Sequence, residues 1–154
     1  MDLNDKRYIM ALQCDRSRRR CGGYHCELAL HKRRGAFRFY RDRDIRMTTI
    51  TCGGCDSDAL AGKIKHLLGK LRKVEQIVPG QVVVHLASCM TRHSHHGPRC
   101  CRVETFHEVC REIGIDCVED TYVFGPTEKK RQAGLYPTNP RGLGPESKGP
   151  TGEG

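Results

Sequence analysis

The chain has 154 residues, of which ten are cysteine and none is tryptophan, and its formal net charge is +9. A domain of about 150 residues buries roughly two thirds of its unfolded surface, so this chain does not need disulfide bonds to fold. No run approaches the 18 or so apolar residues of a membrane helix, and we expect no membrane association. The first apolar run, residues 8–12, is too short for a secretory signal, so we expect a cytoplasmic protein with reduced thiols.

The positive charge is concentrated in the first 50 residues, which hold 13 Lys and Arg against 6 Asp and Glu. Such a patch could attract nucleic acid or another polyanion. No aromatic platform or recognised nucleic-acid motif accompanies it. We therefore interpret it as a solvated basic face and keep nucleic acid as the less favoured partner. The sequence identifies no protein partner.

Short apolar runs rich in β-branched residues alternate with helical patterns along the chain. Apolar residues recur at helical spacing from Leu60 to Leu71 and predict a long helix. A second helical stripe, from Val103, is closed by Gly114, and a shorter helix is predicted over 26–34, before Gly35. The predicted strands between these helices are 8–12, 47–51, 82–87 and 115–123.

The third predicted strand, with the sequence QVVVHLA, is almost continuously apolar. This pattern is typical of a strand that is buried on both faces of a parallel sheet. Strands that alternate with helices form right-handed crossovers, which place helices on both faces. The predicted fold class is therefore α/β, with a single small open sheet of about four mainly parallel strands, similar to flavodoxin-like or Rossmann-like sheets.

The last thirty residues differ in composition from the rest of the chain. They hold seven Gly and five Pro and show no apolar periodicity, which predicts a flexible tail. We therefore expect one globular domain over residues 6–124, containing all ten cysteines, and a flexible Gly/Pro-rich tail over 125–154.

Cysteines follow the first three predicted strands. Cys14 follows the first strand, Cys52 and Cys55 follow the second, and Cys89 follows the third. Because the carboxyl ends of parallel strands meet at one edge of the sheet, where α/β proteins bind their ligands, these thiols should become neighbours. Cys110 and Cys117 fall on a helical stripe and the fourth strand, and we interpret them as core residues.

The segment Cys-Gly-Gly-Cys at 52–55 has the spacing of structural zinc and iron-sulfur sites, and also of a thioredoxin-type redox pair. Cys26, Cys55 and Cys100 lie where helices should begin, and a helix N-terminus stabilises a thiolate. Other thiols converge on the pair, which favours a metal because a redox dithiol needs no further cysteine. Loop histidines 93, 95 and 96 could supply one more ligand, and we include His93 among the candidates.

The cysteine motifs resemble those of the CGGC-domain family of mainly anaerobic bacteria and archaea. The resemblance covers residue 8 to about 123 and rests on Cys14 with CxxxxC at 21–26, on CGGC at 52–55, on Ala-Ser-Cys at 87–89 and on GxxC at 97–100. It implies a metal-binding domain, with zinc the usual metal, and no particular reaction. Cys101 replaces the usual Pro, so either thiol of the pair at 100 and 101 could be the ligand.

The sequence thus predicts a cysteine-rich metal-binding domain, most simply for a zinc ion. An iron-sulfur cluster remains an alternative cofactor, since thiolates in glycine-flanked loops also hold clusters. A thiol-disulfide oxidoreductase, with Cys52 as nucleophile and Cys55 as resolving thiol, is a further alternative. The candidate metal ligands are Cys14, Cys21, Cys26, Cys52, Cys55, Cys89, His93 and Cys100.

Overall fold

The computed structural model describes residues 2–93, 97–122 and 125–135. Four strands form one open sheet in the order β2-β1-β3-β4, and every neighbouring pair is parallel. This arrangement confirms the predicted fold class. The strands are β1 (Tyr8–Gln13), β2 (Arg46–Thr51), β3 (Val82–Leu86) and β4 (Asp116–Glu119).

Helices connect the strands, as the alternating pattern predicts. Two further connections are short 3-10 helices, at Gly35–Tyr40 and Pro79–Gln81. In the described part of the chain, no helix is both long enough and apolar enough to cross a membrane. The α-helices are α1 (Asp15–Arg18), α2 (Tyr24–His31), α3 (Leu60–Glu75), α4 (Ser88–Thr91), α5 (Val103–Ile113) and α6 (Gly125–Gln132).

The sheet is covered on both faces, which explains the continuous hydrophobicity of its two central strands. All of β1 and β3 is buried, because helices pack on each side. On one face the core contains Met10 and Val84 together with Ile64 of α3 and Phe106 of α5.

The opposite face is covered by α2 and by the 3-10 helix Gly35–Tyr40, whose Phe37 and Tyr40 are fully buried. The sequence pattern placed Gly35 at the end of a helix, but α2 already ends at His31. Gly35 adopts φ +58, and its backbone lies against the carbonyl oxygen of Thr121 so closely that no Cβ would fit. The glycine is therefore required by a close approach of two backbones.

The fourth strand is shorter than its apolar run. It ends at Glu119, because Asp120 adopts a left-handed φ of +84 and turns the chain out of the sheet. The backbone N–H of Asp120 still bonds the carbonyl oxygen of Leu86 at 2.7 Å. The segment after β4 therefore remains attached to the end of β3.

Helix α6 lies in the segment that the composition predicts as a tail. Its Glu128 forms an ion pair of 2.8 Å with Arg92, so the first turns of that segment are linked to the domain. Residues 136–154 lie outside the described residues, and a flexible tail over 125–154 stays a prediction.

Several arginines of the basic N-terminal third are structural. Arg33 donates to the carbonyl oxygens of Leu30, Tyr40 and Arg43, and Arg43 donates to those of Leu3 and Lys6. These guanidinium groups bond backbone carbonyls from several parts of the chain and so hold the loops together. Part of the charge cluster is thus explained by loop structure.

Candidate metal centre

The carboxyl ends of β1, β2 and β3 bring three cysteine-bearing loops together. Cys52 donates its backbone N–H to the carbonyl oxygen of Gln13 at 3.4 Å, and Ala87 donates to that of Leu12 at 2.8 Å. Cys14 follows β1 directly and is the N-cap residue of α1. The sheet register thus fixes the backbone at these three positions.

One group of thiols consists of Cys14, Cys26 and Cys89. The pKa of Cys89 is raised to about 11, chiefly by burial and in part by the nearby thiols of Cys26 and Cys14, against the backbone N–H of Cys14 and the Ser17 hydroxyl, which lower it. The sulfur of Cys26 lies 3.5 Å from the hydroxyl of Thr121. These thiols are close enough to interact electrostatically. Burial and the neighbouring thiols disfavour the thiolate form, and a cation placed among them would favour it.

Cys14 also belongs to a second group, with Cys52 and Cys100. Burial raises the pKa of Cys100, and the neighbouring thiols of Cys101, Cys14 and Cys52 add to the effect, against the backbone N–H of Arg102. That N–H donates to the Cys100 sulfur at 3.4 Å. The backbone N–H of Cys100 bonds the Met90 carbonyl oxygen at 2.7 Å, which holds this loop beside the end of β3.

The CGGC loop separates its two cysteines. Cys52 is 7% exposed and packs in the core, whereas Cys55 is exposed. The prediction that Cys55 begins a helix is wrong, because α3 begins only at Leu60. The Ser57 hydroxyl accepts the backbone N–H of Ala59 at 3.1 Å and so stabilises a turn ahead of the helix.

Arg102 fixes the CGGC loop from the start of α5. Its guanidinium donates to the carbonyl oxygens of Gly54 at 3.1 Å, Cys55 at 3.0 Å and Ser57 at 2.7 Å, and it lies over the ring of Phe106 at 5.2 Å. The sequence analysis missed this residue, since a bond spanning 47 residues leaves no local pattern. Arg102 joins the two loops that carry Cys55 and Cys100.

Buried ion pairs hold the loop that leads from α4 to Cys100. Arg92 bonds the carboxylate of Asp120, with its Nη2 2.6 Å from Oδ2. Arg99 bonds Glu119 at 2.6 Å, and His107 bonds the other oxygen of that carboxylate at 3.0 Å. Glu119 ends β4 and Asp120 follows it directly, so the loop is attached to the sheet at its two ends.

The remaining candidates lie on the segments that follow α1 and α4. Cys21 accepts the backbone N–H of Gly23 at 3.4 Å, and His93 is half-buried directly after Arg92. His95 and His96 lie outside the described residues. The thiols of Cys110, on α5, and Cys117, on β4, lie close enough together to interact with each other.

All ten cysteines are free thiols. Within the described residues, no three Cys, His, Asp or Glu side chains lie close enough together to hold one ion as they stand. The chemistry of the donor set nevertheless fits a thiophilic metal, because thiolates are the preferred ligands of zinc and of iron-sulfur clusters.

Comparison with known proteins agrees with this arrangement. The sequence model of the CGGC domain matches residues 8–122. An uncharacterized protein of Methanocaldococcus jannaschii is 34% identical over 76 residues, which cover 49% of this chain and 98% of that protein. No solved structure matches the chain significantly. The family match spans the sheet and every candidate thiol, and the chain therefore belongs to the CGGC-domain family.

Proposed function

We propose that this protein binds zinc through thiolates at the carboxyl edge of its sheet. The observation that carries the proposal is the position of Cys14, whose thiol lies near that of Cys89 and near that of Cys100. Cys26 is a further neighbour of Cys89, and Cys52 is a further neighbour of Cys100. These five cysteines would supply the principal ligands. Cys21, Cys55 and His93 lie on the adjoining loops and remain candidates for a second ion or for the cover of the site.

The desolvated thiols supply the physical argument. Burial raises the pKa of Cys89 to about 11, so this thiol is protonated at neutral pH unless a cation lies near it. A bound zinc ion would supply that charge, and each ligating thiol would release its proton. Ionisation of these buried thiols is therefore unfavourable without a metal and becomes favourable when a metal binds.

This grouping differs from the one that strand ends alone predict, which is Cys14, Cys52, Cys55 and Cys89. Cys26 interacts with Cys89 and Cys100 interacts with Cys14, whereas Cys55 is exposed. The reason is that Gly53 and Gly54, both with left-handed φ, carry the loop outward after Cys52. We accordingly propose Cys14 as the central ligand and Cys55 as a peripheral one.

The burial of Cys52 bears on the redox alternative. A thioredoxin-type nucleophile needs an accessible thiol at a helix N-terminus, but Cys52 is 7% exposed and α3 begins eight residues later, at Leu60. Metal binding therefore has the stronger support. Ten free thiols also agree with a reducing compartment, and we propose the cytoplasm.

Metal analysis of the protein purified without oxygen tests the proposal. We expect at least one zinc ion per chain, and we expect Cys14→Ser to remove most of it. Cys117→Ser is the matched control, since Cys117 pairs with Cys110 rather than with the five thiols. Zinc below one ion per chain would overturn the assignment, and so would loss of zinc in the control but not in Cys14→Ser. Iron with absorbance near 400 nm, which is typical of thiolate-bound iron, would show that the site holds an iron-sulfur cluster instead of zinc.

A further inference from the structure

A cleft of about 270 Å³ opens between α2 and the segment after β4. Its floor is apolar, formed by Leu28 and Ala29. Ligand pockets for drug-sized molecules begin at roughly 300 Å³, so this cleft suits a small ligand no larger than a mononucleotide. Its remaining lining residues are aromatic or basic: Tyr24, His25, Lys32, Arg34 and Tyr122.

Three rings line this cleft. His25 stacks on Tyr122 with ring centroids 4.8 Å apart and an interplanar angle of 14°. Tyr24 meets His25 edge-on at 5.4 Å, and 64% of its surface is exposed. An exposed tyrosine beside a stacked pair offers a flat apolar face to a further ring.

Two cationic side chains border the same cleft. Lys32 is exposed one turn beyond Leu28, and Arg34 follows after the end of α2. The charge of Arg34 extends to the Tyr122 hydroxyl, where it lowers a pKa that burial raises. No carboxylate lines the cleft among the described residues. The electrostatic environment therefore favours an anion.

We propose that this cleft binds a nucleoside monophosphate, in which a planar base is linked through a sugar to a phosphate group. The base would stack on the exposed Tyr24, beside the His25–Tyr122 pair, and the phosphate would be held by Lys32 and Arg34. The site uses the carboxyl side of the sheet, where α/β proteins place their ligands. Among the described residues, no cysteine lines this cleft.

Titration with AMP tests the proposal on the full chain as purified, followed by calorimetry and by tyrosine fluorescence. Adenosine lacks the phosphate and ribose 5-phosphate lacks the ring, so both should bind at least about tenfold more weakly than AMP. AMP affinity should also fall as salt rises, since its phosphate meets Lys and Arg. Equal affinity for AMP and ribose 5-phosphate would overturn the role of the rings, and absence of AMP binding would overturn the site.

Two variants locate the binding. Lys32→Ala should weaken AMP about tenfold, and Tyr24→Ala at least about fivefold, while each retains its zinc. Lys70→Ala removes an exposed lysine from α3, outside the cleft, and should leave AMP affinity unchanged. If Lys70→Ala weakens AMP as much as Lys32→Ala does, the attraction is a property of net charge and the proposed cleft is wrong. AMP binding by zinc-free protein would show that this site is independent of the metal.

Discussion

The guanidinium of Arg102 donates to the carbonyl oxygen of Cys55 at 3.0 Å and thereby connects the start of α5 to the CGGC loop. Two more carbonyl oxygens of the same loop, those of Gly54 and Ser57, accept from this side chain. A planar guanidinium can serve several acceptors at once, whereas a lysine ammonium cannot reproduce its fork. The loop therefore depends on a residue that is itself no metal ligand.

We expect Arg102→Ala to increase hydrogen exchange of the backbone amides in residues 53–58 by about tenfold or more. The substitution removes three hydrogen bonds to this loop, and each contributes about 1 kcal/mol. Arg102→Lys should give a smaller increase. Arg111→Ala, which removes an exposed arginine from the same helix, is the control and should leave these amides unchanged. Unaltered exchange in Arg102→Ala would show that the loop is held by its own turn.

A buried histidine should make the stability of the fold depend on pH. His85 is fully buried, with Nε2 2.6 Å from the Tyr40 hydroxyl and Nδ1 2.8 Å from the carbonyl oxygen of Asp120. Burial lowers the pKa of His85 from 6.5 to about 4, against the hydrogen bond and the charge of Asp120, which raise it. The folded protein therefore holds this imidazole neutral where the unfolded chain protonates it.

Since the unfolded state binds the proton more readily, this contribution to stability is complete above pH 6.5 and is lost as the pH falls from 6.5 to about 4. The loss amounts to about 3 kcal/mol at most. Urea unfolding at pH 7 and pH 4.5 measures it in wild type and in His85→Gln, where the dependence should be smaller. His66→Gln, at an exposed position of α3, should retain the full pH dependence. An identical slope in all three proteins would contradict the assignment to His85.

Substitution of Gly35 should be strongly destabilising. A Cβ at this position would collide with the carbonyl oxygen of Thr121, and φ is +58. We expect Gly35→Ala to lower the free energy of unfolding by about 2–4 kcal/mol, from backbone strain and overpacking. Gly62→Ala, on α3 with open space around it, should instead stabilise by about 0.5–1 kcal/mol. Urea unfolding compares the two, and equal effects would mean that the close approach at Gly35 is easily relieved.

The buried ion pair between Arg92 and Asp120 should matter far more than a surface pair. The two side chains are 7% and 2% exposed, so Arg92→Met would leave a buried carboxylate without its counter-ion and cost about 3–5 kcal/mol. Arg46→Met breaks the exposed pair with Glu75 and should cost less than about 1 kcal/mol. Chemical unfolding distinguishes these values. Similar losses for both variants would indicate that water reaches Asp120.

The fold could be predicted from the sequence because its signals are local. Apolar periodicity from Leu60 to Leu71 predicts a helix without knowledge of its partners, and the continuous apolar run at β3 predicts a strand buried on both faces. Once the strands are parallel, the convergence of Cys14, Cys52 and Cys89 follows from topology. This part of the site required no side-chain detail.

The parts that sequence reasoning missed depend on distant polar partners. Arg92 and Asp120 are separated by 28 positions and Arg102 and Cys55 by 47, and no periodicity links them. Serine is a common residue at helix N-caps, but the Ser57 hydroxyl is used in the turn that precedes α3. A single sequence shows which groups could bond and not which partner each one finds.

The parallel pairing of β1 with β3 joins Tyr8 to Val82 and so spans almost half of the chain. Cys14 emerges from the ribosome before its neighbours Cys89 and Cys100, which follow only after most of the domain has been synthesised. Pairing across so long a separation is slow, since loop closure precedes any favourable contact. Cys14 is therefore synthesised before its neighbours exist, and these thiols can come together only after translation has passed Cys100.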